Sequence, residues 1–484
     1  MTYPDTGPAR PDPAAATPPP TRPPTAWDRG AVVDAAAARA AMVARLEAEG
    51  LSAGLVRDAL LELRREVLMP QAYVRRSGPG EKPPRWDLLD WAVPEDRPEL
   101  LGLLYDGGSV AVQHDGEPLL GRARGSRSGA SITSMSTVMG LTASLLQELD
   151  LRPGQRVLDV GTGAAVTAAV ACRVCGDTGV VTLDRDRHVA DAAAVRLAAL
   201  GLRPAVRCGP GEAGCPEGAP YDRIFVSYAV SQVPAALADQ LAAGGRLLAH
   251  VTTSSPSWPA LAVVERDQGG RLLAELRAVE FGHRAGHCME RIYLTDEFRT
   301  EIATGRGDWT QRSLLVPPAD TERGLWLAAD HLLGGTLVRD FTAEHLSIGA
   351  PGCGSWLRVE PVSARRWKVI TAGPRDLWKE IQDVTARWRA AGCPDRYPLS
   401  FNADGTQRAA SPCGRLSWSL PASRPADQSS RTPYGHFVNP DASRARSTAA
   451  LARQGAGAST GRHTSGDEPD GRLPLSQDGT GGVR

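Results

Sequence analysis

Residues Arg156–Cys172 read RVLDVGTGAAVTAAVAC, and this stretch decides the expected fold. A short apolar run contains an acid, two glycines follow one residue apart, and small residues with valines then continue over a helical length. In an α/β sheet, the turn between a strand and the next helix presents backbone N–H groups to a ligand, provided that glycine allows close approach. The stretch therefore predicts a strand, a ligand-binding turn and a helix.

The alternation continues to residue 251. Helical stretches separate further strand-like runs, namely VVTLD (180–184), PAVRC (204–208), YDRIFVSYA (221–229) and GRLLAHV (245–251). Strands that alternate with helices of about 10 to 15 residues predict a mostly parallel sheet with helices on both faces. Residues 260–281 read as two antiparallel strands joined at Gly269-Gly270, which predicts a hairpin at the edge of this sheet.

The remaining chain divides by composition. Residues 31–69 have the spacing of two helices, whereas the Pro- and Gly-containing stretch 77–97 favours a loop with a docked short helix. The predicted organisation is a disordered Pro-rich leader (1–25), a sheet-containing domain with an N-terminal helical cap (26–296), a C-terminal α+β extension (297–421) and a disordered tail (422–484).

Charge and cysteine content exclude several classes of protein. The 55 Lys and Arg residues balance the 55 Asp and Glu residues, so no global field attracts nucleic acid or an anionic membrane. Apolar runs are too short for a membrane helix, and we expect a cytoplasmic protein whose eight sparse cysteines are reduced. The arginine-rich tail fits a solvated linker better than an RNA-binding segment.

The turn itself suggests a cationic cofactor. Gly161 and Gly163 flank Thr162, and 21 residues after Gly163 the acid Asp184 ends the next strand, where it can accept hydrogen bonds from ribose hydroxyls. Asp159 would repel a pyrophosphate but attract a sulfonium or an ammonium group. Val166 stands where a dinucleotide-binding loop has its third glycine. We therefore favour S-adenosyl-L-methionine over a dinucleotide.

A purely structural alternative stays open at this point. The glycines would then only form a tight turn, and Asp159 would cap the following helix. Ala165 is expected in the first turn of that helix, where a right-handed backbone tolerates its methyl group.

Four ordered segments resemble the protein-L-isoaspartate O-methyltransferase family of class I methyltransferases. They are RLEAEGLSAGLVRDALLELRREVLMPQAY (45–73), LLYDGGSVAVQHDG (103–116), SITSMSTVMGLTASLLQELDLRPGQRVLDVGTG (131–163) and APYDRIFVSYAVSQVPAALADQLAAGGRLLAHV (219–251). The resemblance spans roughly residues 40 to 255. It implies a Rossmann-like class I methyltransferase fold with S-adenosyl-L-methionine as cofactor.

The resemblance also implies site residues. The cofactor-binding set is Asp159, Gly161, Thr162, Gly163, Asp184, Arg185, Gly211 and Glu212. The family usually has Gly-Asp-Gly after the third strand, whereas this chain has Gly209-Pro210-Gly211. The acidic contact with adenine is therefore missing or shifted to Glu212.

A hydroxyl-rich segment is expected to hold the substrate carboxylate. Ser131-Ile132-Thr133-Ser134-Met135 stands in place of the family's Thr-Ile-Ser-x-Pro, with the proline lost. Thr133 is the predicted hydroxyl that fixes the carboxylate, and Ser131, Ser134 and Ser136 are its helpers. Helix N-capping by these residues is the structural alternative. A carboxylate is already anionic at neutral pH, so methylation needs no strong base.

The expected function is carboxyl O-methylation of isoaspartyl or aspartyl residues in a protein or peptide. Some relatives act in peptide maturation, and the long extension favours such a specialised substrate. The alternatives are a methyltransferase on a small molecule or other acceptor, and a catalytically weakened cofactor-binding protein. No metal is expected, because Cys172 and Cys175 read as buried helical thiols and His283, His287 and Cys288 read as a loop at the site rim.

Overall fold

The fold is that of a computed structural model, which describes residues 29–78, 81, 83–129, 132–255, 260–279, 294–341 and 345–421, with side chains from residue 35 onward. The predicted leader, the predicted tail and the segment with His283, His287 and Cys288 lie outside the described residues. Within the described residues, every helix is too short or too polar to span a bilayer.

The N-terminal layer combines helices with a small antiparallel sheet in the order β4-β2-β1-β3-β5. Its elements are α1 (Arg29–Ala48), α2 (Leu55–Glu62), α3 (Arg65–Leu68), β1 (Gln71–Arg75), β2 (Arg85–Asp90), α4 (Arg97–Tyr105), β3 (Val110–His114), β4 (Gly125–Ser128) and β5 (Ile132–Ser136).

Two sequence predictions fail in this layer. The loop predicted for residues 77–97 contains β2, whose Trp86–Asp90 pair with all five residues of β1. Trp86 and Leu88 lie on one buried face of this strand. The hydroxyl-rich segment is strand β5, and the next helix begins at Met139 without a side-chain cap. The N-capping alternative for Thr133, Ser134 and Ser136 is therefore wrong.

The central layer has the predicted βα alternation. Its elements are α5 (Met139–Glu148), β6 (Val157–Val160), α6 (Val166–Cys175), β7 (Val180–Asp184), α7 (Arg187–Ala199), β8 (Ala205–Cys208), β9 (Tyr221–Val230), α8 (Ala235–Asp239), β10 (Leu241–Val251), β11 (Ala260–Arg266) and β12 (Leu272–Ala278). Strands β8-β7-β6-β9-β10 are mutually parallel, as in a Rossmann-like sheet. The helical stretch expected between the strand-like runs 221–229 and 245–251 is only α8, because β10 already begins at Leu241.

The C-terminal layer carries a second antiparallel sheet and two buried helices. Its elements are α9 (Asp296–Thr304), β13 (Trp309–Ser313), α10 (Arg323–Leu332), β14 (Val338–Phe341), β15 (Leu346–Ala350), β16 (Ser355–Ser363), β17 (Arg366–Ala372), α11 (Leu377–Ala390), β18 (Arg396–Phe401), β19 (Gln407–Ala410) and β20 (Ser417–Ser419). Arg339 of β14 forms a buried ion pair with Asp330 of α10 and stacks over Trp326, with its guanidinium carbon 4.7 Å from the ring centroid.

The hairpin of β11 and β12 is not at the edge of the central sheet, contrary to the sequence prediction. Strand β18 pairs antiparallel with β12, and β19 and β20 extend the sheet to ten strands. The Gln407 side chain also accepts from the Val233 N–H (3.0 Å) and donates to its carbonyl (2.6 Å), as a neighbouring strand would. Residues of both segments share one hydrophobic core, for example Val226 and Trp418. The boundary at residue 296 stays a prediction.

The strand order creates a crevice beside β6. This strand lies between β7 and β9, and the strand order continues to β8 on one side and to β10 on the other. Ligands of open α/β sheets bind outside the carboxyl ends of the strands at such a topological switch point. The turn 161–165, which follows β6, opens into this crevice.

Ala165 departs from its expected conformation. Its backbone is left-handed (φ 61°, ψ 21°), and it is the residue that precedes α6 rather than part of the right-handed helix. A left-handed L-residue costs about 1–2 kcal/mol, and glycine avoids this cost. Ala165 thus has a backbone conformation that glycine adopts more readily, although it carries a methyl group.

We expect Ala165→Gly to raise the free energy of unfolding by about 0.5–1 kcal/mol, because release of the strain exceeds the added entropy of the unfolded chain. Ala169→Gly inside α6 is the matched control and should lower it by about 1 kcal/mol or more. Urea unfolding measures both, and a change of the same sign at the two positions would contradict the strain.

Candidate active site

Asp159 is the buried acid at the centre of the crevice. Its Oδ2 accepts a hydrogen bond from Thr182 (2.7 Å), whose own oxygen lies 2.7 Å from the Thr162 hydroxyl. Its Oδ1 has no hydrogen-bond partner among the described residues. Burial raises the pKa of Asp159 to about 7, the Asp184 carboxylate adds to the rise, and the Thr182 and Ser227 hydroxyls oppose it. A cation would compensate this carboxylate better than any other group.

The two glycines of the loop are required by close contacts. Gly161 has φ 94°, and a Cβ built on it would lie 3.0 Å from Cδ1 of Tyr228. Gly163 has φ 51°, and its Cβ would lie 3.0 Å from the Met135 carbonyl oxygen. Both positions therefore favour glycine for conformation and for space. The purely structural alternative had Asp159 cap α6, but no side chain caps that helix.

Asp184 receives two backbone N–H groups. Its Oδ2 accepts from Gly163 (3.1 Å) and its Oδ1 from Asp186 (3.0 Å). Burial raises the pKa of Asp184, and these two donors oppose the rise. Each oxygen retains acceptor capacity for a ligand hydroxyl. Arg185, the next residue, is exposed at the rim.

The turn after β8 closes the far end of the crevice. Gly209 donates its N–H to the Asp184 carbonyl (2.9 Å), which ties the two turns together. Gly211 is buried, and a Cβ there would overlap the Tyr228 hydroxyl. Glu212 is exposed beside it. The Tyr228 side chain thus extends from Gly161 to Gly211. Its place near the carboxyl end of β9 was the one indication in the sequence that it lies at the site.

The Thr133 hydroxyl is already engaged. It donates to Gln113 Oε1 (2.8 Å) and accepts from the Gly116 N–H (3.0 Å). The Gln113 amide donates in turn to Asp186 Oδ2 (3.0 Å). Thr133 therefore links β5 to the turn that holds Asp184.

Ser134 and Ser136, on the same strand as Thr133, lie near the turn 161–165. The Ser134 Oγ is buried without a hydrogen-bond partner in the described part of the chain, 3.8 Å from the Cβ position of Gly163. Ser136 is buried and accepts from Arg65 Nη2 (3.1 Å). Ser131 lies outside the described residues.

A cavity of about 50 Å³ lies between β5 and the turn 161–165. Residues of β5, α5, the loop, α6, β9 and β10 line it, including Ser136, Thr142, Thr162, Ser227 and His250. His250, one residue before the end of β10, has no role predicted from the sequence. Arg65 has none either, because no local signal points to it.

The thiol prediction concerns α6. Cys172 and Cys175 are free and buried, and burial raises the pKa of both thiols. Over the described ranges, no group of three or more His, Cys, Asp or Glu side chains is placed to hold a metal ion.

Asp159→Asn should stabilise the protein at alkaline pH. The folded-state pKa of about 7 exceeds the unfolded value near 3.9, so the stability that the protonated acid contributes is lost as pH rises through 7. We expect a gain on the order of 2–4 kcal/mol at pH 8 and a smaller gain, about 1–2 kcal/mol, at pH 5, because the loss begins above the unfolded pKa. Urea unfolding at both pH values tests this, with the exposed Asp191→Asn as control. Equal gains at both pH values would contradict the buried charge.

Gly211→Ala should destabilise the protein by about 1–3 kcal/mol through the overlap with the Tyr228 hydroxyl. Tyr228→Phe removes that hydroxyl and should recover part of the loss in the double variant. Thermal unfolding of the two single variants and the double variant measures the coupling. Additive effects would mean that Tyr228 does not lie against Gly211.

A family model described as protein-L-isoaspartate(D-aspartate) O-methyltransferase matches residues 127–281. Among solved structures, a protein-L-isoaspartate O-methyltransferase is 20% identical with a TM-score of 0.38, covering 79% of this chain and 98% of that chain. A SAM-dependent methyltransferase from Thiobacillus denitrificans in complex with S-adenosyl-L-homocysteine is 26% identical with a TM-score of 0.20, covering 23% of this chain and 47% of that chain.

Curated relatives carry the same family name. A protein-L-isoaspartate O-methyltransferase of Methylorubrum populi is 48% identical over 111 residues, which are 23% of this chain and 51% of that protein. The chain spans about half the length of the first relatives that it matches. The enzyme of that name from Ignicoccus hospitalis is 36% identical over 143 residues, which are 29% of this chain and 67% of the relative. At that identity and coverage, the chain belongs to the protein-L-isoaspartate O-methyltransferase family.

Proposed function

We propose that the protein is an S-adenosyl-L-methionine-dependent carboxyl O-methyltransferase that acts on isoaspartyl or aspartyl residues of a protein or peptide. The observation that carries the proposal is the buried Asp159 carboxylate, whose Oδ1 is unpartnered among the described residues, just before the turn 161–165, together with the cavity that this turn shares with Ser136 of β5. A cationic methyl donor would compensate the Asp159 carboxylate, and a carboxylate acceptor would accept hydrogen bonds from hydroxyls of β5.

The residues of the loop fit the cofactor. Asp159 offers a buried acid, and Gly161 and Gly163 give the turn the positive φ angles that L side chains rarely adopt. Asp184 keeps acceptor capacity for the two ribose hydroxyls. The Tyr228 ring lies between Gly161 and Gly211, so it is the side chain against which the adenosine end would pack. Arg185 and Glu212 stay proposed contacts at the rim.

Ser134 is the hydroxyl best placed for the acceptor. Its Oγ has no hydrogen-bond partner in the described residues, whereas the proton of Thr133 is donated to Gln113. A hydrogen bond from Ser134 would fix one carboxylate oxygen and direct the other toward the loop. Thr133 would then act as a positioning residue, because it connects β5 to Gln113 and Asp186.

The chemistry requires little more than alignment. When bound, S-adenosyl-L-methionine supplies an electrophilic methyl group on a positively charged sulfur. The chain excludes water with apolar side chains of α5 and β9 and holds the acceptor oxygen in line. Asp159 holds a negative charge near the departing positive one, and no residue has to remove a proton from the acceptor.

The activity assay follows transfer of a labelled methyl group to an isoaspartyl peptide and to its aspartyl twin. We expect a base-labile product on one of them, as for an ester. Ser134→Ala should lower kcat/KM about 10- to 100-fold, because it removes one hydrogen bond to a charged acceptor.

Ser126→Ala is the matched control, since Ser126 lies in the same small sheet and engages Asp87 instead of the loop. It should leave kcat/KM within about twofold of the parent. A base-stable product would identify another acceptor. Absence of transfer together with absence of cofactor binding would overturn the proposal.

A further inference from the structure

Strand β9 carries a bulge where it passes the crevice. On its β10 side, the register advances from Val226 directly to Ala229 between two consecutive residues of β10. On its β6 side, the pairing ends at Val226. Within the described ranges, Ser227 and Tyr228 therefore have no paired residue on either neighbouring strand. Bulges of this kind redirect side chains next to binding sites and leave the extra residues outside the hydrogen-bond ladder.

The bulge turns two successive side chains toward the same turn. In a regular strand, successive side chains point to opposite faces of the sheet. Here Ser227 Cβ lies 3.3 Å and Tyr228 Cδ1 lies 3.0 Å from the Cβ position built on Gly161. The Ser227 hydroxyl also opposes the rise that burial causes in the pKa of Asp159. Both residues of the bulge thus contribute to the crevice.

The segment after the bulge is held by the C-terminal layer. The chain leaves β9 at Val230 and reaches α8 through Val233, which is fully buried. Buried backbone N–H and C=O groups need partners inside the protein. The Gln407 side chain supplies both for Val233, since it accepts from the N–H (3.0 Å) and donates to the carbonyl oxygen (2.6 Å).

Gln407 is itself fixed in place. It begins β19, where it pairs with Phe401 of β18, and its carbonyl accepts from the Leu420 N–H (2.8 Å). It is 3% exposed. An amide side chain accepts and donates at the same time without carrying a charge, so it matches the two backbone groups of a single residue.

We propose that Gln407 is a positioning residue for the cofactor crevice, through which the C-terminal layer takes part in cofactor binding without touching the cofactor. Strand pairing fixes the residues on either side of the bulge, and the Gln407 amide fixes Val233 beyond it. Loss of this amide frees the downstream end, so that the Tyr228 ring lies less often against the turn 161–165. The inference rests on the proposed function, because it concerns the crevice assigned there to S-adenosyl-L-methionine.

Gln407→Met is the test variant, because methionine fills a similar volume but offers neither hydrogen bond to Val233. Binding of S-adenosyl-L-homocysteine to the full chain is measured by isothermal titration, well below the thermal transition of each variant. We expect the dissociation constant to rise about 10-fold. The KM for S-adenosyl-L-methionine should rise by the same factor, with kcat at saturation within about threefold of the parent. Partial unfolding would instead lower the number of binding sites and leave the dissociation constant unchanged.

Ser411→Ala is the matched control. Ser411 is also 3% exposed, and its Oγ accepts from the Leu416 N–H (3.0 Å) within the turn between β19 and β20. This variant should lower stability but leave the dissociation constant within about twofold of the parent. Hydrogen exchange without ligand is the second readout. Amides of residues 227–233 should exchange about 10-fold faster in Gln407→Met, and at the parent rate in Ser411→Ala.

A double variant tests the route through the ring. Tyr228→Leu removes the side chain on which Gln407 is proposed to act, so Gln407→Met should weaken binding by less than about twofold in that background. Independent losses of binding at the two positions would overturn this route.

The outcomes separate the positioning role from the proposed function. A parent that binds S-adenosyl-L-homocysteine and an unchanged dissociation constant in Gln407→Met would overturn the positioning role alone, as would equal rises in Gln407→Met and Ser411→Ala. A parent that does not bind would overturn the proposed function. Hydrogen exchange then still decides whether Gln407 controls the bulge, because an unchanged rate over residues 227–233 in Gln407→Met would overturn that control.

Discussion

A buried carboxylate at the carboxyl end of the central strand is the constraint around which the crevice is built. Asp159 is fully buried in β6 between Thr182 of β7 and Phe225 of β9, and its Oδ2 accepts a hydrogen bond from the Thr182 hydroxyl. One of its oxygens has no hydrogen-bond partner among the described residues, which is a costly arrangement for a buried polar group. A cation that reached the Asp159 carboxylate, next to the turn 161–165, would therefore be bound favourably.

The parallel sheet was predictable because its signals are local. A strand such as Val157–Val160 is a short apolar run followed at once by glycine, and each helix supplies its own periodicity. Strand β2 was missed because flanking Pro and Gly residues conceal a buried face that only the pairing with β1 reveals. The hairpin was placed at the edge because its true neighbour, β18, is about 120 residues away. Asp159, Gly161 and Gly163 fell within the local pattern, so the candidate loop was recognisable.

The sequence could not show which hydroxyl of β5 is available to a ligand, because it does not reveal which of them already donates a hydrogen bond within the protein. Thr133 and Ser134 are adjacent and chemically similar, yet Gln113 takes the proton of one and leaves the other unpartnered in the described residues. Arg65 contacts Ser136 across 71 residues of sequence. Ala165 shows the same limit for the backbone, since its left-handed conformation depends on how the turn joins α6.

Gln407 connects the end of the described chain to the loop after β9. It bonds both backbone groups of Val233 across 174 residues, and its strand continues the sheet that holds the crevice. Contacts of such long range form late, because the closure of a large loop precedes any gain from the contact. During synthesis on the ribosome, the ten-stranded sheet thus cannot be completed until β18 to β20 have left the exit tunnel. The extension thereby sets the earliest moment at which a nascent chain can complete the sheet that holds the crevice.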